Sequence, residues 1–319
     1  MADSQGTDNP GMDAAPVSLV QIMAVVALAV CWAFNWPMMK LALVTVDPWT
    51  FRAFLVVVGG VGCAFLAKAN GLPLLVHRSD WPAMIAVGLL QGALWNGFSG
   101  FGIALVDASR AAVLAFTMPL WVTLLSMIFL REVVTPRRFF GLGLGLCAIT
   151  LLLMPAFAAM GSALFGTLLM LLAAFSWGAA TVVFKGATWK SDILTISVWQ
   201  YIIGGVPLCL AAVTLGDPPS LIRAEGWVLL AIAYSALVPM IFCQIIWFSV
   251  VQRVPASYAS MGTLMVPVLG VMFSAMVLGE KIGPPEIGAL VLVTVAMALI
   301  LPGVSLQASR RPPRASRPE

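Results

Sequence analysis

Along the chain, apolar residues arrive in runs of roughly twenty, the length a helix needs to cross the hydrocarbon of a bilayer. These runs lie at about 17–39, 48–69, 81–105, 110–130, 138–158, 165–187, 192–215, 226–251, 256–278 and 284–304. The breaks between them carry turn chemistry, as at Asp47-Pro48, Asn70-Gly71, Thr135-Pro136, Gly216-Asp217-Pro218-Pro219 and Gly283-Pro284-Pro285. Strands of a membrane barrel would be about ten residues long and would alternate polar with apolar positions. These runs are twice that length and do not alternate. The pattern predicts an all-α integral membrane protein with ten transmembrane helices.

Composition excludes the soluble alternative. Of 319 residues, 61% are apolar and 9% are charged, against about 25% charged in an ordinary soluble domain. The lysines and arginines sit mostly in the breaks. With a cytoplasmic N-terminus, twelve of the 17 fall on the inside and five on the outside, so both termini are expected in the cytoplasm. Residues 1–16 form an acidic tail without Lys or Arg, and the run behind it is too long for a cleaved signal peptide. Residues 306–319 form an Arg/Pro-rich cytoplasmic tail that serves as a topology signal or meets an anionic lipid surface.

Several chemistries are absent. The five cysteines (Cys31, Cys63, Cys147, Cys209 and Cys243) lie singly inside apolar runs, and the one histidine, His77, lies in a break. No metal site, cofactor or catalytic residue is expected. A polytopic membrane enzyme would present His, Asp or Glu constellations at the membrane surface, which this chain lacks. All 13 acidic residues fall in tails, breaks or span ends, whereas proton-relaying pumps keep a carboxylate within the bilayer. That leaves facilitated diffusion, exchange, or coupling through groups near the loops. No P-loop is present, so ATP is not the direct energy source. Gly88-xxx-Gly92 and Gly141-xxx-Gly145 read as close helix packing.

The chain repeats itself. Trp32 and Lys40 recur as Trp177 and Lys185, each 145 residues later. Ala111, Pro119, Ser126, Leu130, Glu132 and Pro136 recur as Ala259, Pro267, Ser274, Leu278, Glu280 and Pro284, each 148 later. This divides the chain into five-helix units over 17–158 and 159–305. Five is odd, so the second unit enters the membrane from the opposite face. Such inverted repeats are an architecture of secondary transporters, with the substrate near the midplane between the halves.

Polar and aromatic residues at helical spacing mark candidate cavity faces. They are Trp32, Asn35 and Trp36 in the first span, and Gln91, Trp95, Asn96 and Ser99 in the third. Trp177 and Thr181 lie in the sixth, and Tyr234, Gln244 and Trp247 in the eighth. Facing lipid, their polar atoms would cost free energy unless bonded, so these faces point inward, to bond other helices or to hold a substrate. Pro119 and Pro267 lack an N–H and free the carbonyls of Ala115 and Thr263, as static kinks or as gate hinges. Arg52, within an apolar run, either meets a substrate carboxylate or snorkels outward to pair with Asp47.

The stretch Cys31-Trp-Ala-Phe-Asn-Trp-Pro-Met-Met-Lys40, Arg52, and the run from Pro119 to Leu130-Arg-Glu132 resemble the drug/metabolite transporter superfamily. Trp177 to Lys185 and Pro267 to Leu278-Gly-Glu280 are their second-half counterparts. Each half is similar to one EamA-type repeat. The resemblance implies a carrier of the bacterial inner membrane that exports small metabolites by alternating access, amino acids above all. Aromatic amino acids are implied if the likeness extends to the YddG-type exporters. A nucleotide-sugar or other phosphorylated-metabolite carrier is the alternative within the superfamily. Partners are then a small-molecule substrate and membrane lipid, with no nucleic acid; the sequence leaves oligomeric state open.

Overall fold

A computed structural model describes residues 19–132, 135–159, 161–243, 246 and 256–300, with backbone alone at 158, 159 and 256–263. Both tails lie outside the described residues, as do Gln244 and Trp247. Among the described residues all regular structure is helical. Helix α1 spans Leu19–Ala42 and α2 spans Pro48–Ala69. Asp47 starts α2: its carboxylate accepts the N–H of Thr50 at 3.0 Å, and Pro48 occupies the first turn, where an N–H has no helical partner. After a 3-10 turn at Arg78–Asp80, α3 is one rod of three parts, Trp81–Val87, a π-helical stretch Gly88–Leu94, and Trp95–Leu105. Helix α4, Ala108–Phe129, breaks at Phe116 and Thr117. Then come α5 (Pro136–Ala159), α6 (Ser162–Gly186) and α7 (Ile193–Leu215). A short helix, Ser220–Arg223, leads into α8 (Gly226–Phe242), which ends in a π-helical stretch from Val238. Helix α9 is Ala256–Leu278 and α10 is Pro284–Ile300.

Among the described residues six of these helices, α1, α2 and α4–α7, are long and apolar enough to cross a membrane. Shorter apolar helices accompany them, over Gly226–Phe242, Leu264–Leu278 and Pro284–Ile300. The outer surface is hydrocarbon: Phe65, Phe139, Val213, Leu230 and Met276 are each at least 70% exposed. Water would not tolerate such a belt, and lipid does.

The packing pairs helices from the two halves. Helices α2 and α7 run antiparallel, with Gly216 beside Asp47 and Thr50, Gly205 beside Val56, and Gly59 against Tyr201. Helices α5 and α10 run antiparallel, Gly141 meeting Ile300 while Gly288 meets Leu151. Helices α4 and α9 do the same: Ala112 lies by Gly270, and Glu280 reaches Ala108. Helix α1 packs along α9 and α6 along α4; α3 packs along α6 and α8 along α1. The glycine spacings read as packing devices serve that purpose. Gly88 lies against Ile203 and Gly92 against Gly204 of α7, while Gly141 and Gly145 receive α10 and Leu120.

Lys40 and Lys185 mark the two ends of the bundle. At the Lys185 end, Asp80 ties the start of α3 to the α6–α7 turn. Its carboxylate accepts N–H groups of Ser191 at 2.8 Å and Lys190 at 3.0 Å and the Ser79 hydroxyl at 2.9 Å. Loss of water pushes this carboxyl up, but the hydroxyls of Ser191 and Ser79 and those two N–H groups outweigh it and hold it down at about 2. At the Lys40 end Asp47 accepts the Asp217 N–H at 2.9 Å. Helices α2 and α7, with the start of α3, are thus stitched at both ends.

Candidate functional site

Arg52 turns inward. It is 3% exposed, and its guanidinium donates to Ser99 Oγ at 2.8 Å and to Asn96 Oδ1 at 3.4 Å on α3. Ser99 in turn donates to the Trp95 carbonyl at 2.6 Å, and Asn96 to the Gly92 carbonyl at 2.8 Å. Room for the Arg52 stem comes from Gly100, where a Cβ would lie 3.0 Å from Arg52 Cγ. The expected alternative of an outward Arg52 paired with Asp47 is therefore corrected. Asp47 serves the amides of Thr50 and Asp217, and Arg52 faces the opposite way. Arg52 Nε is buried with no hydrogen-bond partner.

One helical turn away, the rings of Trp95 and Trp177 meet edge to face with centroids 4.5 Å apart, joining α3 to α6. On the other side of the bundle Phe34 stands between Tyr234 at 5.3 Å and Phe273 at 5.4 Å. The Tyr234 hydroxyl donates to the Cys31 carbonyl at 2.9 Å, fastening α8 to α1. Trp36 is buried in the seam where α1, α4 and α9 meet, and a Cβ on Gly270 would lie 3.1 Å from its Cδ1. Trp32 is half-buried beside the main core. Asn35 is buried with Oδ1 unpartnered, and Trp121 on α4 holds a buried Nε1 without a partner. In a hydrocarbon-clad bundle such polar atoms cost free energy unless bonded.

Not every expected residue joins this arrangement. Gln91 lies within the π-helical stretch of α3, where its carbonyl accepts from Asn96 at 3.3 Å. Thr181 bonds back to the Trp177 carbonyl at 2.9 Å, within its own helix. Pro119 follows a real break, as the Thr117 hydroxyl donates to the Leu114 carbonyl at 2.6 Å. Pro267 lies inside an unbroken α9, so the two prolines do not bend their helices alike. Their surroundings differ, since Met265, which has no hydroxyl, stands where the repeat would place Thr117. Phe34, Phe273 and Trp121 lie off the polar stripes and carry no signal in the sequence that sets them apart from other apolar positions. The π-helical stretches of α3 and α8, Gly88–Leu94 and Val238–Phe242, overlap in the repeat, since an offset of 148 carries 88–94 onto 236–242. Such π-bulges often mark functional sites.

The profile of the EamA-like transporter family matches the chain twice, over residues 19–154 and 164–301. The chain belongs to the EamA-like transporter family. With that membership comes embedding in a membrane and transport of a small molecule. Relatives agree. A Bacillus subtilis (strain 168) protein named "Uncharacterized transporter YoaV" is 29% identical, over 83% of this chain and 91% of its own. A Salmonella typhimurium protein named "Probable amino-acid metabolite efflux pump" is 22% identical, over 89% of this chain and 95% of its own. A solved crystal structure shares the fold at a TM-score of 0.59 with 19% identity, covering 87% of this chain and 96% of that one.

Proposed function

We propose that this EamA-family protein is a secondary carrier that exports amino acids, aromatic ones among them, and related small metabolites by alternating access. One observation carries the reading: the repeat-equivalent helices of the two halves (α2 with α7, α4 with α9, α5 with α10) run antiparallel to each other. Antiparallel equivalents are what a five-helix unit inserted twice in opposite senses produces, in a ten-crossing bundle with its substrate site between the halves. The proposed site lies between the Trp95–Trp177 pair, Trp32, Asn35 and Trp36 of α1, and Tyr234, with Gln91 and Thr181 nearby; the sequence candidates Gln244 and Trp247 lie outside the described residues. Aromatic walls suit an apolar side chain. Arg52, held by Asn96 and Ser99, supplies the positive charge for a carboxylate, and Pro119 and Pro267 serve as hinges. A phosphorylated cargo would call for several cations; Arg52 is the one buried basic residue among those described. The distribution of Lys and Arg supports a cytoplasmic Lys185 end and cytoplasmic termini, in a bacterial inner membrane.

Counterflow of labelled amino acids in proteoliposomes tests this directly. Flux above that of empty liposomes, competed by unlabelled aromatic amino acids, is the expected result. Trp95→Ala and Trp177→Ala should cut it about tenfold while folded yield is kept. No flux across a broad metabolite panel contradicts the reading. Collapse of yield on either substitution would assign these rings to packing.

A further inference from the structure

Lys40 and Glu280 meet at the α3–α4 corner from two directions. The Lys40 ammonium donates to the carbonyls of Val106 at 2.6 Å, Ile103 at 2.8 Å and Ala104 at 3.1 Å, the orphan acceptors at the end of α3. The Glu280 carboxylate accepts the N–H groups of Ala108 at 2.7 Å and Ser109 at 2.9 Å, the orphan donors at the start of α4. Glu280 follows α9, in the second half of the chain, and α4 belongs to the first. Its carboxylate therefore fastens one half to the other. Behind it Ala108, Ala111 and Ala112 are fully buried, and α9 closes on them through Gly270. This end is shut.

The repeat carries the same parts to the other end. Lys185 and Glu132 are the repeat counterparts of Lys40 and Glu280, and there the two form a direct ion pair that again joins the halves, with Arg138 at 3.9 Å from Glu132. The corner that Glu280 caps has its sequence counterpart as well, since Val106, Ala108 and Ser109 recur as Val254, Ala256 and Ser257, each 148 later. Ala256 is the first residue of α9, so the N–H groups of Ala256 and Ser257 belong to its opening turn. Among the described residues no ion pair joins Lys40 to Glu280 within 4 Å. The two glutamates thus have different partners in the same conformation.

Resting on the alternating-access reading above, we propose that Glu280 and Glu132 are equivalent latches. Glu280 holds the Lys40 end shut by capping α4. Glu132 holds the Lys185 end shut by capping α9 when the carrier turns over. In the present conformation Lys185 keeps Glu132 in place. Both latches work through charge-assisted hydrogen bonds to helix-terminal amides, so each is made or broken without any group having to titrate. The ends are not identical. Arg110 of α4 pairs with Glu286 of α10 at 2.5 Å, and the repeat places Tyr258 where Arg110 stands. The Lys40 end accordingly has a fastening between α4 and α10 that the repeat does not carry to the other end.

Ala112, enclosed behind the Glu280 latch, reports the state of that end. In a variant freed of the five native cysteines, Ala112→Cys is exposed to a membrane-impermeant maleimide added from the Lys40 side. The latches predict that Glu280→Gln speeds labelling by about tenfold or more, the scale of losing a charge-assisted cap. Glu132→Gln should slow it below the parent rate, and the double variant should return toward that rate. Labelling moved in the same direction by both substitutions, or by neither, overturns the proposal. If Glu280→Gln fails to fold, Glu132→Gln decides alone, because Glu132 is 30% exposed and its loss leaves the core intact; an unchanged or faster rate then sinks the latch. A parent rate that shifts under a mixed amino-acid load, with both glutamates silent, removes the latch and leaves the carrier standing. A rate fixed under every load and in every variant removes both.

Discussion

A guanidinium 3% exposed, 2.8 Å from a serine hydroxyl and with no carboxylate paired to it, holds a charge that folding alone would disfavour. Its proposed use is to receive an anion. Arg52→Gln should therefore lower amino-acid counterflow about tenfold and abolish the advantage of amino acids over the corresponding amines as competitors. Loss of the Ser99 and Asn96 bonds should cost about 1.5–3 kcal/mol of stability. An unchanged preference with lost stability would make Arg52 a bolt between α2 and α3. The sequence could not choose between inward and outward, because the rotation of α2 is set by the gap at Gly100 of α3, which no periodicity in α2 encodes. Asp80 supports a second prediction. Its folded value of about 2 lies below the ordinary carboxylate value, so its contribution is complete above that ordinary range and is lost as pH falls through about 2. Asp80→Asn should lower the melting temperature by a few degrees at pH 7, with the gap to the parent closing between about pH 4 and 2. A gap that persists unchanged at low pH would contradict the clamp.

At the scale of elements, α3 and α7 touch backbone to backbone. A Cβ on Gly92 would lie 2.5 Å from the Gln200 carbonyl and 2.8 Å from Gly204 Cα. Neither helix can yield without separating, so Gly204→Val should cost about 3 kcal/mol, seen as a lower melting temperature and reduced folded yield in detergent; wild-type stability would mean the rods are not in contact there. The helices themselves were legible. The ends of α2, α3 and α7 fall within a residue of those expected, because bilayer thickness fixes length and Pro, Gly and Asp fix the stops. The π-helical stretch of α3 was not legible. There the Trp95 N–H bonds the Leu90 carbonyl, one residue further back than in an α-helix, which turns the face bearing Trp95 relative to Gln91. A stripe drawn at regular spacing cannot register that rotation. The repeat predicts like behaviour at Pro119 and Pro267, yet a break precedes Pro119 while α9 is unbroken at Pro267, and the sequence beside them differs as Thr117 against Met265.

For the whole molecule, self-similarity along the chain predicts two inverted units, and the antiparallel pairing of equivalent helices supports that proposal. What the repeat could not give was the present asymmetry between the ends, because identical parts can hold different partners in one conformation. The account depends on the two halves crossing the membrane in opposite senses. Side-specific labelling of single cysteines reads this out, at the exposed positions Asn70→Cys and Thr188→Cys of the Lys185 end and Ser162→Cys and Lys281→Cys of the Lys40 end. In sealed vesicles of known orientation, positions 70 and 188 should react with an impermeant maleimide from the cytoplasmic face, and 162 and 281 from the opposite face. Position 162 reacting from the same face as 70 would place both halves in one orientation and contradict the account.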